Sequence, residues 1–144
     1  MRSILNEIVD KLKNSTFSVT VPSANIIDAY PVTNPDFKKP YITVDESVNL
    51  PDMNTYTNKE ENSYLGYQID VYSRQQKINN VMYSAKDVTK QLVNEIDNIL
   101  NTEFGLIRST SPQYIPFSED RSICRCVVRY DVNLDLTHDY LYRR

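Results

Sequence analysis

Three carboxylates on two candidate strands are the residues in this chain best placed by type and spacing for catalysis. Asp45 and Glu46 lie in the alternating run PYITVDESV, and Asp70 lies in SYLGYQIDVYS. Carboxylates at the ends of adjacent strands can bind Mg²⁺, which prefers hard oxygen ligands and supports nuclease chemistry. Asp36 and Lys38 lie nearby in the sequence, but no acid, spacer, acid-x-lysine pattern completes such a set, and Asp45 and Asp70 occupy the polar phase of their strands. The pattern therefore favours solvated carboxylates over a magnesium site.

Other catalytic and ligand-binding patterns are weaker. The sole histidine, His138, lies among charged residues near the end of the sequence, where a general base is hard to hold rigidly. The only glycines, Gly66 and Gly105, are isolated, which disfavours a phosphate-binding loop. Cys124 and Cys126 point to one face of a candidate strand, so we expect two buried thiols and no disulfide. We therefore expect no enzyme activity, no cofactor and no metal.

Length and composition predict one domain over residues 1–144, with 40% apolar and 24% charged residues. The net charge of −3 disfavours a surface that wraps nucleic acid, although its sign does not exclude DNA passing close by without binding. Arg125 and Arg129 share a strand face with Asp131 and Asp135, an alternation that favours pairing across strands or across subunits.

No apolar run approaches the ~20 residues of a membrane span. The first apolar stretch contains acidic residues, unlike a signal peptide. We therefore expect no membrane association and a cytosolic site of synthesis and assembly.

The elements that must position these residues follow from hydrophobic periodicity. The first predicted helix covers 3–13, with Ser3 as its N-cap. The second covers about 81–104, with Asn79 or Asn80 as its N-cap and with Gly105 ending the helix in a left-handed conformation. The predicted strands are TFSVTVP, ANIIDAY, PYITVDESV, SYLGYQIDVYS, GLIRSTS and SICRCVVRYDVNLDL. This order predicts a two-layer α+β fold, in which a mostly antiparallel sheet of about four to six strands carries two helices packed on one face.

Proline-rich and polar connections are the candidate contact surfaces. Pro31, Pro35 and Pro40 stiffen the chain ahead of the strand at 41–48. The polar segments 49–62 and 111–121 are long for connections, so they are either arms that contact a neighbour or simply solvated loops. Aromatic and arginine side chains commonly anchor protein interfaces. The candidate interface residues are Phe37, Tyr41, Tyr56, Tyr114, Phe117, Arg125 and Arg129.

Four segments together resemble the tail terminator, or tail completion, proteins of tailed bacteriophages, which overlap in fold with other head-to-tail joining proteins. The segments are ILNEIVDKL, YPVTNPDFKKPYITV, YLGYQIDVYSR with the following VMYSAKDVTKQLVNEIDNIL, and CRCVVRYDVNLDL. In that family an aromatic–proline stretch leads into an early strand, a Q-I-D-V-Y-like strand precedes the long helix, and an R-Y-D-V-like strand closes the fold. The resemblance covers about residues 3–136. The polar loop 49–62 and a tail at 137–144 depart from the pattern.

The resemblance implies a structural virion protein with no active site. Such proteins form a ring, typically a hexamer, at the head-proximal end of the tail tube, where they terminate tube polymerisation and provide a docking surface for the head. The implied partners are further copies, the tail tube protein and a head-closure or connector protein, while DNA passes through the lumen without specific binding. The implied location is the tail or neck of the virion, after assembly in the bacterial host cytoplasm.

Two alternatives remain at this point. The nearer one is another neck ring subunit, either a head-closure or a connector protein. The other, from a different class, is the Mg²⁺-dependent nuclease that would use Asp45, Glu46 and Asp70.

Overall fold

The computed structural model describes residues 4–28, 38–52, 62–116, 122–135 and 140–142. In these ranges the chain forms helices α1 (Ile4–Lys13) and α2 (Ala85–Phe104), with one 3₁₀ turn at Ser23–Asn25. The strands are β1 (Ile26–Ile27), β2 (Tyr41–Asp52), β3 (Asn62–Ser73), β4 (Gln76–Ile78), β5 (Val81–Tyr83), β6 (Ile107–Arg108), β7 (Gln113–Pro116), β8 (Cys124–Asp135) and β9 (Tyr140–Tyr142).

A seven-stranded sheet is built around three strands of twelve residues each. β3 lies at the centre and pairs antiparallel with β2 on one side and with β8 on the other. The far edge of β8 is covered in turn by three short strands, β7, β6 and β9. β1 pairs with the start of β2 in parallel, which makes the sheet mixed. The predicted α+β class is therefore confirmed.

One continuous core lies between the two helices and one face of the sheet. Apolar side chains lie opposite one another on neighbouring strands of this core. Ile42 pairs with Val71, and Val71 pairs with Cys126. α1 buries the stripe predicted from its spacing, which includes Ile8 and Leu12. α2 buries the residues Val88, Thr89, Leu92, Val93, Ile96 and Leu100. The predicted packing of two helices on one sheet face is confirmed.

The start of the long helix differs from the prediction. α2 begins at Ala85, and Ser84 is its N-cap, because the Ser84 hydroxyl accepts a hydrogen bond from the Asp87 N–H at 3.2 Å. Asn79 and Asn80 have φ values of 51° and 65° and form the turn between β4 and β5. Two consecutive left-handed residues are what a two-residue hairpin turn requires, and asparagine adopts that conformation readily. The apolar run after them is therefore a strand.

Gly105 ends α2 as predicted. Its φ is 66°, and its N–H donates to the Asn101 carbonyl at 3.1 Å. The Leu106 N–H then donates to the Leu100 carbonyl at 3.2 Å, which satisfies a further carbonyl of the last turn. Glycine is favoured here because a left-handed backbone costs other residues more.

Two other predictions need correction. The segment TFSVTVP is not a strand, because the Ser18 N–H donates to the carboxylate of Glu95 on α2 at 3.2 and 3.3 Å, while Val19 is buried. The segment 111–121 is not a loop throughout, since 113–116 form β7 against β8. The predicted N-cap Ser3 lies outside the described residues.

Candidate functional site

The sheet face opposite the helices carries a group of polar side chains on β3 and β8, called here the polar cluster. Its members are Gln68, Asp70, Tyr72, Arg125 and Arg129. They share this face because side chains alternate along a strand and because β3 and β8 are in register, with Tyr72 opposite Arg125 and Gln68 opposite Arg129.

Asp70 is the centre of the polar cluster, and it is buried, with 2% of its surface exposed. Its carboxylate accepts a hydrogen bond from Arg125 Nη2 at 2.7 Å, which is also an ion pair. Gln68 Nε2 and the Tyr72 hydroxyl donate to the same carboxylate at 3.1 and 3.4 Å. The Arg125 guanidinium lies 5.7 Å from the centre of the Tyr72 ring. The expectation of a solvated Asp70 is therefore wrong, since the cross-strand neighbours enclose it and satisfy its charge.

The three carboxylates of the nuclease alternative are not brought together. Asp45 lies opposite Gln68, on the face of the polar cluster, whereas Glu46 lies opposite Tyr67, whose side chain belongs to the helix-side core. Asp45 and Glu46 are both exposed, while Asp70 is buried against Arg125. Within the described part of the chain, no three His, Cys, Asp or Glu side chains are grouped closely enough to bind a metal ion.

Of the predicted interface residues, Tyr41, Arg125 and Arg129 lie on or beside the polar cluster. Tyr41 is half-buried and packs with Tyr72 and Ile123 in a small second apolar cluster. Arg129 is exposed, and its Nε donates to Gln68 Oε1 at 3.2 Å. Arg125 forms an ion pair with Asp70, which is a contact within the subunit.

Tyr114 lies in β7 and is half-buried against the helix-side core, with Lys86 Nζ 5.9 Å from its ring centre. It pairs with Cys126, and burial together with that neighbour raises the pKa of Tyr114 to about 12. Burial likewise raises the pKa of the Cys126 thiol to about 12. Both thiols are free, but only Cys126 is fully buried, since Cys124 is half-buried. The predicted contacts Phe37, Tyr56 and Phe117 lie outside the described residues.

Two tyrosines in the core show how a phenol is accommodated there. The Tyr130 hydroxyl donates to Asp97 of α2 at 3.0 Å, and burial together with that carboxylate raises the pKa of Tyr130. Tyr67 lies beside Tyr130 on β3, and its pKa is raised by burial and then by the charge of Glu46. Both hydroxyls therefore stay protonated at neutral pH and act as fixed core side chains.

The β4–β5 hairpin is the surface feature that sequence analysis missed. Val81, Met82 and Tyr83 are exposed over 52%, 58% and 40% of their surfaces, so an entire strand of apolar residues faces outward. The hairpin forms a separate two-stranded sheet. The available signal was the Asn79–Asn80 pair between two short apolar runs, which is typical of a hairpin turn.

A groove with a volume of about 590 Å³ lies at the base of this hairpin. Three cationic residues, Lys38, Arg74 and Lys77, line it together with Met82. The other described residues that line it are glutamines, serines and an alanine. We call it the cationic groove. Arg74 is held at its rim by a hydrogen bond to the Ser122 hydroxyl.

The outer edge of β2 is the second notable surface. β1 covers β2 only at Ile42 and Thr43, and among the described residues no strand pairs with β2 on that side beyond Thr43. A β-bulge between Glu46 and Val48 interrupts the strand, and Pro51 follows. Bulges and prolines are devices that limit pairing along an edge. They leave Val44–Glu46 as a short regular stretch of open edge, called here the β2 window.

Comparison with known proteins leaves the chain without an assigned family. A scan against protein-family models finds no match, and a search of curated proteins finds no significant match. Neither helix in the described ranges combines the length and apolar character that crossing a bilayer requires.

Proposed function

We propose that this protein is the tail terminator subunit of a tailed bacteriophage or a phage-derived particle. It forms a ring, typically a hexamer, on the head-proximal end of the tail tube, stops tube polymerisation and presents a docking surface to a head-closure or connector protein. The protein performs no catalytic step in this role, and it becomes part of the virion neck after assembly in the host cytoplasm.

The observation that carries the proposal is the agreement between the segment order of the resemblance and the observed fold. The helix ILNEIVDKL, the strand after the proline-rich stretch, the QIDVY strand with the long helix, and the closing RYDV strand become α1, β2, β3 with α2, and β8. The β4–β5 hairpin lies between β3 and α2, and β5 contains the VMY residues that the resemblance counted with the long helix.

The surfaces of the subunit also suit assembly. Among the described residues it has an exposed apolar hairpin and a stretch of β2 edge that no strand pairs with, two features that soluble monomers usually avoid. Two different patches that bind each other produce a head-to-tail contact, which closes into a ring when the rotation between copies permits. The net charge of −3 is compatible with a lumen to which DNA does not adhere.

The test is to determine the mass of the purified protein by native mass spectrometry, alone and with the tube protein encoded by the same phage genome. We expect a discrete ring mass, formed either alone or on the tube, and tubes that stop growing once it is added. A strict monomer under both conditions, with tube growth unaffected, would refute the proposal.

The neck ring alternative differs from the terminator proposal in the structure that the protein binds. A terminator caps isolated tubes, whereas a head-closure or connector subunit binds isolated filled heads and leaves tube growth unchanged. Incubation with Mg²⁺ and linear, nicked or branched DNA tests the nuclease alternative, for which cleavage that is abolished by Asp70→Asn would be required.

A further inference from the structure

We propose that β5 pairs in antiparallel fashion with β5 of a second copy, about a two-fold axis at Met82, so that two hairpins join into one four-stranded sheet. This contact joins identical surfaces. It therefore goes beyond the proposed ring and does not depend on it, because the ring joins two different surfaces.

The backbone of β5 has its hydrogen-bonding groups arranged for this pairing. The two-residue loop 79–80 has positive φ at both positions, so Ile78 and Val81 form the hydrogen-bonded pair next to the turn. Hydrogen-bonded and non-hydrogen-bonded pairs alternate along an antiparallel ladder. Met82 therefore forms a non-hydrogen-bonded pair with Lys77, and the Met82 N–H and carbonyl point away from β4. Among the described residues, no strand pairs with that edge.

The side chains of β5 are complementary to themselves. In the register centred on Met82, Val81 lies opposite Tyr83 of the second copy, and this pair occurs twice. A β-branched side chain opposite an aromatic one is a favourable cross-strand pair. The two Met82 side chains meet on the other face. Because all three residues are exposed in the single subunit, the pairing removes apolar surface from water on both faces of the hairpin.

Charge favours the edge of β5 over the edge of β4. The segment 78–85 contains no charged residue, whereas Lys77 occupies the middle of β4. Pairing through β4 would place two Lys77 side chains directly opposite each other, which is unfavourable. Pairing through β5 instead separates them by three strand spacings, about 14 Å. That distance exceeds the Debye length of ~8 Å at physiological ionic strength, so their repulsion is largely screened.

Other edges of the subunit carry features that limit pairing. β2 has a bulge after Glu46 and a proline at Pro51, and β7 ends at Pro116. Charges, prolines and bulges protect exposed edges from pairing with another chain. β5 contains no charge and no proline, and its ladder with β4 has no bulge. Its outer edge is therefore suited to accept another strand.

The size of the contact sets its strength. Stable interfaces bury roughly 1,200–2,000 Å² in total, and three residues from each copy offer less than that. We therefore expect weak association of two free subunits, with a dissociation constant above roughly 10 μM. If the subunits also form the proposed ring, the contact repeats around it. Two rings related by two-fold axes should then associate more tightly than two subunits.

Cysteine cross-linking tests the register. The Cα atoms of a directly opposed hydrogen-bonded pair are about 5.5 Å apart, a distance that a disulfide spans. Met82→Cys should therefore give a cross-linked dimer under mild oxidation, and peptide mass spectrometry should assign the linkage to position 82.

The matched control is Val81→Cys, because Val81 is about as exposed as Met82, at 52% against 58%. In the proposed register the two Val81 residues are diagonal neighbours roughly 7–8 Å apart, too far for a disulfide without backbone movement. Val81→Cys should cross-link at least about fivefold less than Met82→Cys on its own. Mixed with Tyr83→Cys, it should cross-link readily, since positions 81 and 83 lie opposite each other.

Charge substitution provides a second measurement without oxidation. Met82→Lys places like charges opposite each other and should weaken self-association, followed by sedimentation velocity without the tube protein, by roughly fivefold. An equal mixture of Met82→Lys and Met82→Glu should recover it. Ile115→Lys changes an exposed apolar strand residue outside β5 and should leave self-association unchanged. All of these variants should retain the wild-type circular dichroism spectrum.

Equal cross-linking of Met82→Cys and Val81→Cys, absence of a linkage at position 82, or unchanged self-association of Met82→Lys would overturn the proposed contact. If the protein still caps tubes in that case, the terminator proposal stands. If position 82 cross-links as expected but the protein neither forms rings nor caps tubes, the two-fold contact stands and the terminator proposal fails.

Discussion

Replacing Arg125 by methionine should destabilise the folded subunit by about 3 kcal/mol, because it leaves the carboxylate of Asp70 buried without its cation. The Asp70 side chain is 3% exposed, against 30% for Arg125, and the atoms of the ion pair are 2.7 Å apart. Breaking a buried pair in this way typically costs 3–5 kcal/mol. The lower end applies here, because Gln68 and Tyr72 still donate to the carboxylate.

The matched control is Arg129→Met, on the same strand and the same sheet face. Arg129 is exposed, and its Nε donates to the neutral Gln68 side chain, so its replacement should cost less than about 1 kcal/mol. The double variant Asp70→Asn with Arg125→Met removes both charges and should recover much of the stability that Arg125→Met loses.

Urea unfolding followed by circular dichroism, at a concentration where all variants are monomeric, measures these differences. With a slope of roughly 2 kcal/mol per molar urea, the Arg125→Met midpoint should fall by about 1.5 M. A loss below about 1 kcal/mol, equal to that of Arg129→Met, would show that the Asp70–Arg125 pair behaves as a solvated surface pair. The reasoning from burial would then be wrong.

Four further predictions concern local structure and thiol chemistry. Gly105→Ala should cost about 1 kcal/mol in the same urea assay, entirely through its left-handed backbone, because no atom lies within 4 Å of the added methyl group. Ser84→Ala should cost about 1 kcal/mol by removing the cap on the Asp87 N–H, and Ser84→Asp should restore most of it. At pH 8 in the native state, an alkylating reagent should modify Cys124 faster than Cys126, and equal rates would contradict the burial of Cys126. Because the folded-state pKa of Cys126 is raised from 9.0 to about 12, its contribution to stability should decline across that interval as pH rises, which pH-dependent urea unfolding measures.

Much of the fold could be predicted because periodicity reports which residues share a face. The stripe of α1, the inward phase of β3 and β8, and the stop at Gly105 each follow from spacing or from a single special residue. The start of α2 could not be placed in the same way. Val81 fits both a helical stripe and a short strand, and the Asn79–Asn80 turn decides between them only once its backbone is known.

The candidate surfaces depended still more on tertiary structure. Alternation places Asp70 on the face away from the helices, and from sequence that face was expected to be solvated. Its burial depends on Arg125, Tyr72 and Gln68, which come close only when β3 and β8 adopt their register.

The sequence by itself determined the α+β class, the composition of the core and the net acidic charge, since these depend on residue type and on spacing along one element. Only the tertiary structure decided which charges are buried, which edge of the sheet stays open and which apolar residues face outward. These properties depend on distances between residues far apart in the chain, and such distances are set by packing and strand register.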